Sequence, residues 1–462
     1  MPNPMFVYDE KMAELVFDYC RRRLSLEPVP LDYGGTRGSP AGLLTDLMGP
    51  EGADPAAVLE LFTDHLAAAV ISCDSPRFLS FIPAAPTKAA LLFDMVVSCS
   101  SLQGTSWLEA AGAVAAENQV LRLLADLAGL PPRAGGCFVS GGSIANLSAL
   151  IVARDTAAYR RDRPGGGMPL VAVSEEAHAS VGKALHIIGV GAIEVPTEDH
   201  RMTGAALASV LANDPRAGDV IAVVATAGTT NAGVVDDLAG IGSVARDRAL
   251  WFHVDGAYGG AGLFAPSARW RFEGIELADS FIVDPHKWLF APFDSAALLY
   301  REPRLAKAVH EQHASYLEAL RTGDPADEDT GGIDEEYNPS DYAIHLTRRA
   351  RGLPLWFSLA VHGTDAYRDA VETVLATARE SAAMIAGRPG LRLVREPELS
   401  IVLFEREGWS RADYDAWSAA LLASQQGFVT ATTWEGRPVA RLAFLHPHTT
   451  LDIVREILDT MG

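Results

Sequence analysis

A lysine, Lys287, stands within an apolar run, SFIVDPHKWLF, where lysine is seldom found. Full burial of an ammonium group carries a large desolvation cost, so such a residue either has an anionic partner or serves chemistry. A lysine held in a dry pocket has its pKa lowered and becomes a nucleophile that can form a Schiff base. Both interpretations are open on this stretch alone.

An aspartate and a histidine stand at the ends of two further apolar runs. Asp255 closes LWFHVD, and His178 comes shortly after LVAVS. A buried carboxylate needs a cationic or hydrogen-bonding partner, so Asp255 is a helix cap, part of a structural ion pair or a functional anion. A single histidine after a strand is more often a packed or capping residue than a catalyst.

Glycines follow a fourth apolar run, in CFVSGGSIANLSAL. Gly142 and Ser143 stand where a strand pattern passes into a helical pattern. Glycine lets the backbone approach a ligand, and a helix N-terminus presents free N–H groups and a positive dipole end to a phosphate. The same residues are also compatible with an ordinary strand-to-helix turn in which Ser143 is the helix N-cap.

The four motifs together meet the requirements of a pyridoxal 5′-phosphate (PLP) site. The phosphate needs an anion cradle, the aldehyde an amine, the ring nitrogen a carboxylate that keeps its proton, and the ring face a flat group. In a doubly wound α/β sheet, ligands bind beyond the carboxyl ends of the strands, where these residues fall. The ordered set therefore predicts PLP as the cofactor.

The elements that must position these residues divide the chain into three parts. Residues 1–85 are helical in pattern, residues 86–345 alternate helical patterns with five continuous apolar runs (the four above and DVIAVVAT), and residues 346–462 are α+β in pattern, with strands at LSIVLFE and VARLAFL. Continuous apolar runs separated by helices indicate a parallel sheet covered on both faces. We predict an N-terminal helical segment, a large cofactor-binding domain and a small C-terminal domain.

Composition narrows the class of protein. The chain has 462 residues and a formal net charge of −21, which argues against nucleic acid and anionic membrane surfaces as partners. No apolar run approaches the roughly 20 residues of a membrane span, and the N-terminus lacks the order of a signal peptide. Four scattered cysteines indicate neither a zinc site nor a disulfide framework. We expect a cytoplasmic enzyme without a metal.

Three longer motifs make the chain resemble a known family. HVDGAYGG, ADSFIVDPHKW and GTTNAGVVDDL are similar to motifs of the group II PLP-dependent amino-acid decarboxylases, which include aromatic-L-amino-acid and glutamate decarboxylases. The resemblance runs from about Ser75 to the end of the chain. It implies the PLP-dependent transferase fold type I (aspartate aminotransferase-like), with a mixed, mostly parallel seven-stranded sheet. It also implies a homodimer with its sites at the interface, in which the N-terminal helical segment 1–85 is the dimerisation segment.

The resemblance also implies roles for individual residues. Lys287 matches the Schiff-base lysine, Asp255 the partner of the pyridine nitrogen, and His178 the imidazole stacked on the ring. Tyr316 matches a mobile-loop tyrosine that protonates Cα after carbon dioxide leaves. The acidic segment 321–341 then matches part of a lid, although a solvated disordered loop fits its composition equally well. The predicted cofactor contacts are Gly142, Ser143, His178, Thr230, Asp255, Ala257, His286 and Lys287.

Two regions depart from the family pattern. Asp284 stands where many members carry Asn near the phosphate, and because a second anion would repel the phosphate, we leave Asp284 out of the predicted contacts. In the substrate pocket, the matching positions are smaller or more polar than in aromatic-specific members, except for Phe81, so a bulkier and more polar amino acid is expected. The predicted pocket residues are Cys73, Phe81, Ala84, Gln103 and Thr105, with Tyr33, Thr36 and Arg37 as further candidates.

The predicted reaction is decarboxylation of an L-amino acid. Two alternatives on the same scaffold stay open: decarboxylation coupled to oxidative deamination, which gives an aldehyde, and β-elimination from an S-conjugated cysteine in secondary metabolism. Tyr316 favours simple decarboxylation, because Phe commonly replaces it in aldehyde-forming relatives. A non-enzymatic homologue serving as a scaffold is a further alternative, which the set Lys287, Asp255, His178 and Tyr316 disfavours.

Overall fold

The computed structural model describes residues 3–31, 47–83, 85–160, 167–320 and 337–462, together with residues 42 and 44. Several predicted positions lie outside these described residues: Tyr33, Thr36, Arg37, Ala84 and the part 321–336 of the acidic segment. Within the described ranges, no helix combines the length and the hydropathy that crossing a membrane requires.

The described residues of the N-terminal part include the α-helices α1 (Glu10–Leu24) and α2 (Pro55–Leu61). The side chain of Asp9 accepts a hydrogen bond from Met12 N at the start of α1, and the last turn of this helix carries three arginines. An acceptor at the N-terminus and cations at the C-terminus both complement the helix dipole, which stabilises an otherwise exposed helix.

A seven-stranded sheet forms the centre of the structure. Its strands are β1 (Gly135–Val139), β2 (Leu170–Ser174), β3 (Gly191–Val195), β4 (Val220–Thr226), β5 (Trp251–Asp255), β6 (Ser280–Val283) and β7 (Ala296–Tyr300). Their order is β1-β7-β6-β5-β4-β2-β3. β7 is antiparallel to both of its neighbours, whereas β2 to β6 pair in parallel. The predicted mixed, mostly parallel sheet is confirmed.

Apolar cores lie on both faces of this sheet. Val223 and Ala225 of β4 belong to one buried cluster, and Ala222 and Val224 belong to another. Successive strand residues point to opposite faces, which explains why the central strands are continuous apolar runs. The helices of this part are α3 (Lys88–Cys99), α4 (Trp107–Leu127), α5 (Gly142–Arg160), α6 (Ala179–Ile188), α7 (Gly204–Asn213), α8 (Leu238–Asp247), α9 (Pro266–Arg269), α10 (Pro285–Trp288) and α11 (Pro303–His310).

A second, antiparallel sheet is formed by the C-terminal part of the chain. Its strands are β8 (Leu391–Leu393), β9 (Ile401–Arg406), β10 (Thr430–Trp434) and β11 (Arg437–Ala443), in the order β10-β11-β9-β8. The helices are α12 (Leu353–Ala386), α13 (Arg411–Ala423) and α14 (Leu451–Asp459). The predicted α+β character is confirmed, and LSIVLFE and VARLAFL correspond to β9 and β11.

The direction of the strands decides where the polar motifs meet. Because β1 and β6 are both antiparallel to β7, β1 runs in the same direction as the parallel strands. The carboxyl ends of β1, β2, β5 and β6 therefore lie at one edge of the sheet, where ligands bind in doubly wound folds.

Candidate active site

A cavity of about 280 Å³ lies at this carboxyl edge. All eight predicted cofactor contacts line it: Gly142, Ser143, His178, Thr230, Asp255, Ala257, His286 and Lys287. The structure thus brings together residues that are far apart in the sequence. Their roles as cofactor contacts stay predictions.

Lys287 lies in α10, the single helical turn that follows β6. Its Nζ is 3.2 Å from Asp284 Oδ2, and its side chain is 22% exposed. The sequence left two interpretations of Lys287 open, a structural ion pair and a chemical role, and the geometry is consistent with both. The amine has a carboxylate partner, and it also faces a cavity.

Asp284 is the most enclosed charged group of the cavity wall, at 2% exposure. Its Oδ2 accepts a hydrogen bond from Gly142 N at 3.0 Å and lies 3.5 Å from His286 Nε2. Burial acts to raise the pKa of this carboxyl, but Lys287 and His286 outweigh that effect and hold the pKa below its ordinary value. A cationic neighbour favours the ionised form, so Asp284 is an anion at neutral pH.

Asp255 closes β5 and receives two hydrogen bonds. Its Oδ2 accepts from Asn146 Nδ2 at 2.9 Å, and its Oδ1 accepts from Ala257 N at 3.1 Å. The residue is 5% exposed. These two donors satisfy one lone pair on each oxygen and fix the orientation of the carboxylate toward the cavity that it lines.

Buried hydrogen bonds extend from Asn146 away from the cavity. Asn146 Oδ1 lies 2.8 Å from His253 Nε2, and Ser280 Oγ lies 2.8 Å from His253 Nδ1. Trp251 Nε1 donates to the same Ser280 Oγ at 2.8 Å. Since the amide oxygen of Asn146 only accepts, the proton of neutral His253 is on Nε2, and Nδ1 accepts from the Ser280 hydroxyl. Burial lowers the pKa of His253 to about 4, against the opposing charge of Asp255.

His178 is the N-cap of α6. Its Nδ1 lies 2.8 Å from Ser180 Oγ and accepts a hydrogen bond from Ser180 N. Ser180 Oγ in turn accepts from Asn146 Nδ2 at 3.1 Å. One amide group therefore connects Asp255 with the His178–Ser180 pair, and sequence reasoning assigned no role to Asn146, Ser180 or His253.

Two buried polar atoms of the cavity wall lack a hydrogen-bond partner among the described residues, Thr226 Oγ1 and Asp284 Oδ1. Buried polar groups are normally hydrogen-bonded, so a polar ligand suits this cavity. An amine, a carboxylate, an imidazole and a helix N-terminus also face it. This donor set fits the aldehyde, ring nitrogen, ring face and phosphate of PLP.

Comparison with known proteins agrees with this geometry. The pyridoxal-dependent decarboxylase conserved domain matches residues 43–407. The chain belongs to this family. Its cofactor is therefore PLP, and it is a lyase of the amino-acid decarboxylase type.

The relatives of this decarboxylase differ in substrate. It is 30% identical over 427 residues to the aromatic-L-amino-acid decarboxylase of Bacillus atrophaeus, covering 90% of this chain and 86% of the relative. It is 33% identical over 383 residues to the L-2,4-diaminobutyrate decarboxylase of Rhizobium meliloti strain 1021, a match that covers 81% of this chain and 74% of the relative. The crystal structure of Oryza sativa TDC with PLP and tryptamine has a TM-score of 0.88 at 24% identity and covers 100% of this chain and 99% of that chain. This likeness confirms fold type I.

The predicted catalytic tyrosine of the decarboxylase lies away from the cavity. Tyr316 is 73% exposed and belongs to the short 3-10 helix Ser315–Leu320. The described pocket candidates also lie outside the cavity lining: Cys73 is half-buried, Phe81 and Gln103 are exposed, and Thr105 is buried. The single chain does not bring these five residues to Lys287, and their roles stay predictions.

Arg441 of β11 connects the smaller sheet of the decarboxylase to the cavity wall. It is 6% exposed and donates to Thr230 O at 2.6 Å, Asn231 O at 3.2 Å and Phe81 O at 3.3 Å. Burial lowers its pKa to about 10. The sequence contains no signal for this contact, because an arginine in VARLAFL is equally compatible with an exposed position on a strand.

Proposed function

We propose that this enzyme decarboxylates an L-amino acid to the corresponding amine, with PLP bound in the cavity around Lys287. The observation that carries the proposal is the convergence of Lys287, Asp255 and His178 on one cavity beside a helix N-terminus. The names of the relatives support decarboxylation and differ in the amino acid. The polar side chains of Gln103 and Thr105, which lie outside the cavity of their own chain and would reach that of a second copy, favour a bulky, polar substrate.

Each side chain has a separate task in the proposed reaction. Bound PLP supplies the electron sink that lets the bond between Cα and the carboxylate break. Lys287 Nζ is the amine that holds the cofactor, and Asp284, 3.2 Å away, stabilises its ammonium form before the cofactor enters. Asp255, oriented by Asn146, keeps a proton on the ring nitrogen of the cofactor. His178, fixed at Nδ1 by Ser180, covers one face of the ring.

We further propose a homodimer in which Tyr316 serves the cavity of the second copy and delivers a proton to Cα. Its 73% exposure and its position outside its own cavity support this assignment. The N-terminal part also exposes apolar side chains, among them Phe6 at 83% and Phe17 at 45%. Exposed apolar patches of this kind mark interaction surfaces, and a second copy is the occupant that the family resemblance indicates.

The assignment of Lys287 is tested by Lys287→Ala. The wild-type protein with PLP is expected to show the visible absorbance of the covalently attached cofactor, and the variant is expected to lose it because no amine remains in the cavity. Lys183→Ala, which removes an exposed lysine of α6, is the matched control and should keep the band. A Lys287→Ala protein with an unchanged band and full turnover would overturn the proposal.

The reaction type is tested by product analysis. Wild-type enzyme is incubated with a panel of amino acids that includes large polar conjugates, and the products are identified by mass spectrometry. An amine as the sole product supports the proposal. An aldehyde with peroxide, or pyruvate, would replace it by oxidative deamination or β-elimination.

A further inference from the structure

Asp284 occupies the position in the cavity that a bound anion would need. Its Oδ2 takes the N–H of Gly142, at the N-terminus of the 19-residue helix α5, at 3.0 Å. The same oxygen lies 3.2 Å from Lys287 Nζ. These are two of the groups to which we assign the phosphate cradle and the cofactor attachment, so one carboxylate oxygen holds both.

The space around this oxygen is tight. A Cβ placed on Gly142 would lie 3.0 Å from Asp284 Oδ2 and 3.1 Å from Ala257 Cβ. The other oxygen, Oδ1, is buried and has no hydrogen-bond partner within the described ranges. A phosphate that enters the cradle must therefore take the Gly142 N–H from Oδ2 and then lie beside a carboxyl group that has lost a donor.

The charges around Asp284 are the following. Lys287 and His286 face it from α10, the N-terminus of α5 presents its positive dipole end, and Asp255 and His178 line the same cavity. His286 Nδ1 accepts a hydrogen bond from Ser295 N at 2.9 Å, so its proton is on Nε2, toward Asp284. These groups stabilise one anion. A phosphate monoester carries about −1.5 to −2 at neutral pH, and two anions at hydrogen-bonding distance do not both stay ionised.

We propose that Asp284 is a resident anion of the cofactor-free enzyme, which occupies the phosphate cradle and takes up one proton when the cofactor phosphate enters. Cofactor binding is then coupled to pH. This inference rests on the proposed placement of PLP around Lys287, and it assigns Asp284 as a positioning residue that acts on the cofactor through the cradle and the lysine.

The sign of the coupling follows from linkage. The pKa of the Asp284 carboxyl is lowered in the free enzyme and, by this proposal, raised when the phosphate is bound. At any pH between these two pKa values, the bound state holds one more proton than the free state. Affinity is therefore highest at low pH and falls as the pH rises through this range, by about tenfold per pH unit for one proton.

The test uses pyridoxamine phosphate, which carries the phosphate but lacks the aldehyde, so that Lys287 does not attach to it. Its Kd is measured by equilibrium dialysis with wild-type protein and with Asp284→Asn, from about pH 7 to about pH 8.5, where the phosphate is a dianion. The ratio of the wild-type Kd to the variant Kd is expected to rise with pH, toward tenfold per unit, because ionisations of the ligand cancel in the ratio. A ratio that does not change with pH would overturn the inference.

Two matched controls isolate the phosphate and the charge. Pyridoxamine, which lacks the phosphate, should give a ratio that is constant with pH. Asp369→Asn removes the same unit of charge from a side chain that is 68% exposed, and its Kd should follow the wild-type curve. A pH-dependent ratio for pyridoxamine, or an effect of Asp369→Asn equal to that of Asp284→Asn, would also overturn the inference.

A measurement on wild-type protein keeps the inference testable if Asp284→Asn does not fold. Calorimetric titration with pyridoxamine phosphate in buffers of different ionisation enthalpy counts the protons taken up. About one proton per bound ligand is expected beyond the uptake measured with pyridoxamine, which has the same ring. If no proton is taken up although PLP still attaches at Lys287, the inference about Asp284 is wrong and the proposed function stands. Retention of the visible band by Lys287→Ala would instead remove the proposed function beneath it.

Discussion

At the scale of single residues, the amide of Asn146 connects two of the four predicted catalytic side chains, Asp255 and His178. Its Nδ2 group donates to Asp255 Oδ2 and to Ser180 Oγ, and its Oδ1 lies beside His253 Nε2. The arrangement uses both the donor and the acceptor of one amide, so no other residue of similar size reproduces it.

Asn146→Asp is expected to lower kcat by about tenfold to 100-fold, by analogy with the residues that orient the ligands of a catalytic metal. The substitution places a carboxylate beside Asp255 Oδ2, and repulsion between like charges raises the pKa of one member of the pair. The visible absorbance of the bound cofactor should therefore titrate at a changed pH, which a merely structural loss would not cause.

The control for this variant is Asn213→Asp, at an exposed position near the end of α7. It should leave kcat and the absorbance titration as in the wild type. If Asn146→Asp behaved in the same way as this control, the proposed positioning role of Asn146 would be wrong.

Local sequence signals identify some site residues and not others. Lys287, Asp255 and His178 each stand at or just after the end of an apolar run, so their types and positions are informative from the amino-acid sequence alone. The role of Asn146 and His253 is visible only from their hydrogen bonds. Asn146 bonds to His253, 107 residues away in the sequence, and to Asp255, 109 residues away. A single sequence does not encode such pairings, because each residue alone fits an ordinary helix or a packed strand.

At the scale of elements, the five predicted strands of the large sheet are present, and β3 and β7 were not predicted. β3 is an edge strand in which Ala192 and Glu194 are exposed, so it lacks the continuous apolar run of the central strands. β7, AALLY, is buried throughout, and a short apolar run of this kind does not distinguish a strand from a buried helical segment.

Close contact between turns makes Gly259 a sensitive position. A Cβ there would lie 2.1 Å from Ala227 O and 2.8 Å from Leu399 Cδ1. Gly259→Ala must therefore push apart the turns that follow β4 and β5, and we expect it to lower the free energy of unfolding by about 1–3 kcal/mol, the usual cost of overpacking. Urea denaturation measures this change.

Gly182→Ala is the matched control for that substitution. Gly182 lies within α6, and an added Cβ would meet nothing within 4 Å. Alanine in a helix interior is favoured over glycine by roughly 0.5–1 kcal/mol, so this variant should raise stability. Equal effects of the two substitutions would contradict the packing described for Gly259.

At the scale of the whole molecule, the proposed homodimer predicts complementation between two inactive variants. Lys287→Ala and Tyr316→Phe chains are each expected to form little amine, which is the activity followed in this test. A mixed dimer has one site with both an intact lysine and an intact tyrosine if Tyr316 serves the opposite cavity. Random reassembly makes half of the dimers mixed, so about a quarter of wild-type activity should return.

Light scattering provides the accompanying control, with an expected mass of twice the 49.2 kDa of one chain. If Tyr316 acted in the cavity of its own chain, the mixed dimers would have no intact site and activity would not return. A monomer with full turnover would contradict the dimer itself.

The hydrogen bonds from Arg441 to the backbone carbonyls of Thr230, Asn231 and Phe81 have a practical consequence for truncated versions of the protein. A chain cut after residue 407, where the conserved domain ends, would retain every residue that lines the cavity. It would nevertheless lose Arg441, which donates to Thr230 and Asn231 in the segment after β4, together with β10 and β11. A version of the protein made for expression or engineering should therefore include the final 55 residues, although none of them lines the cavity.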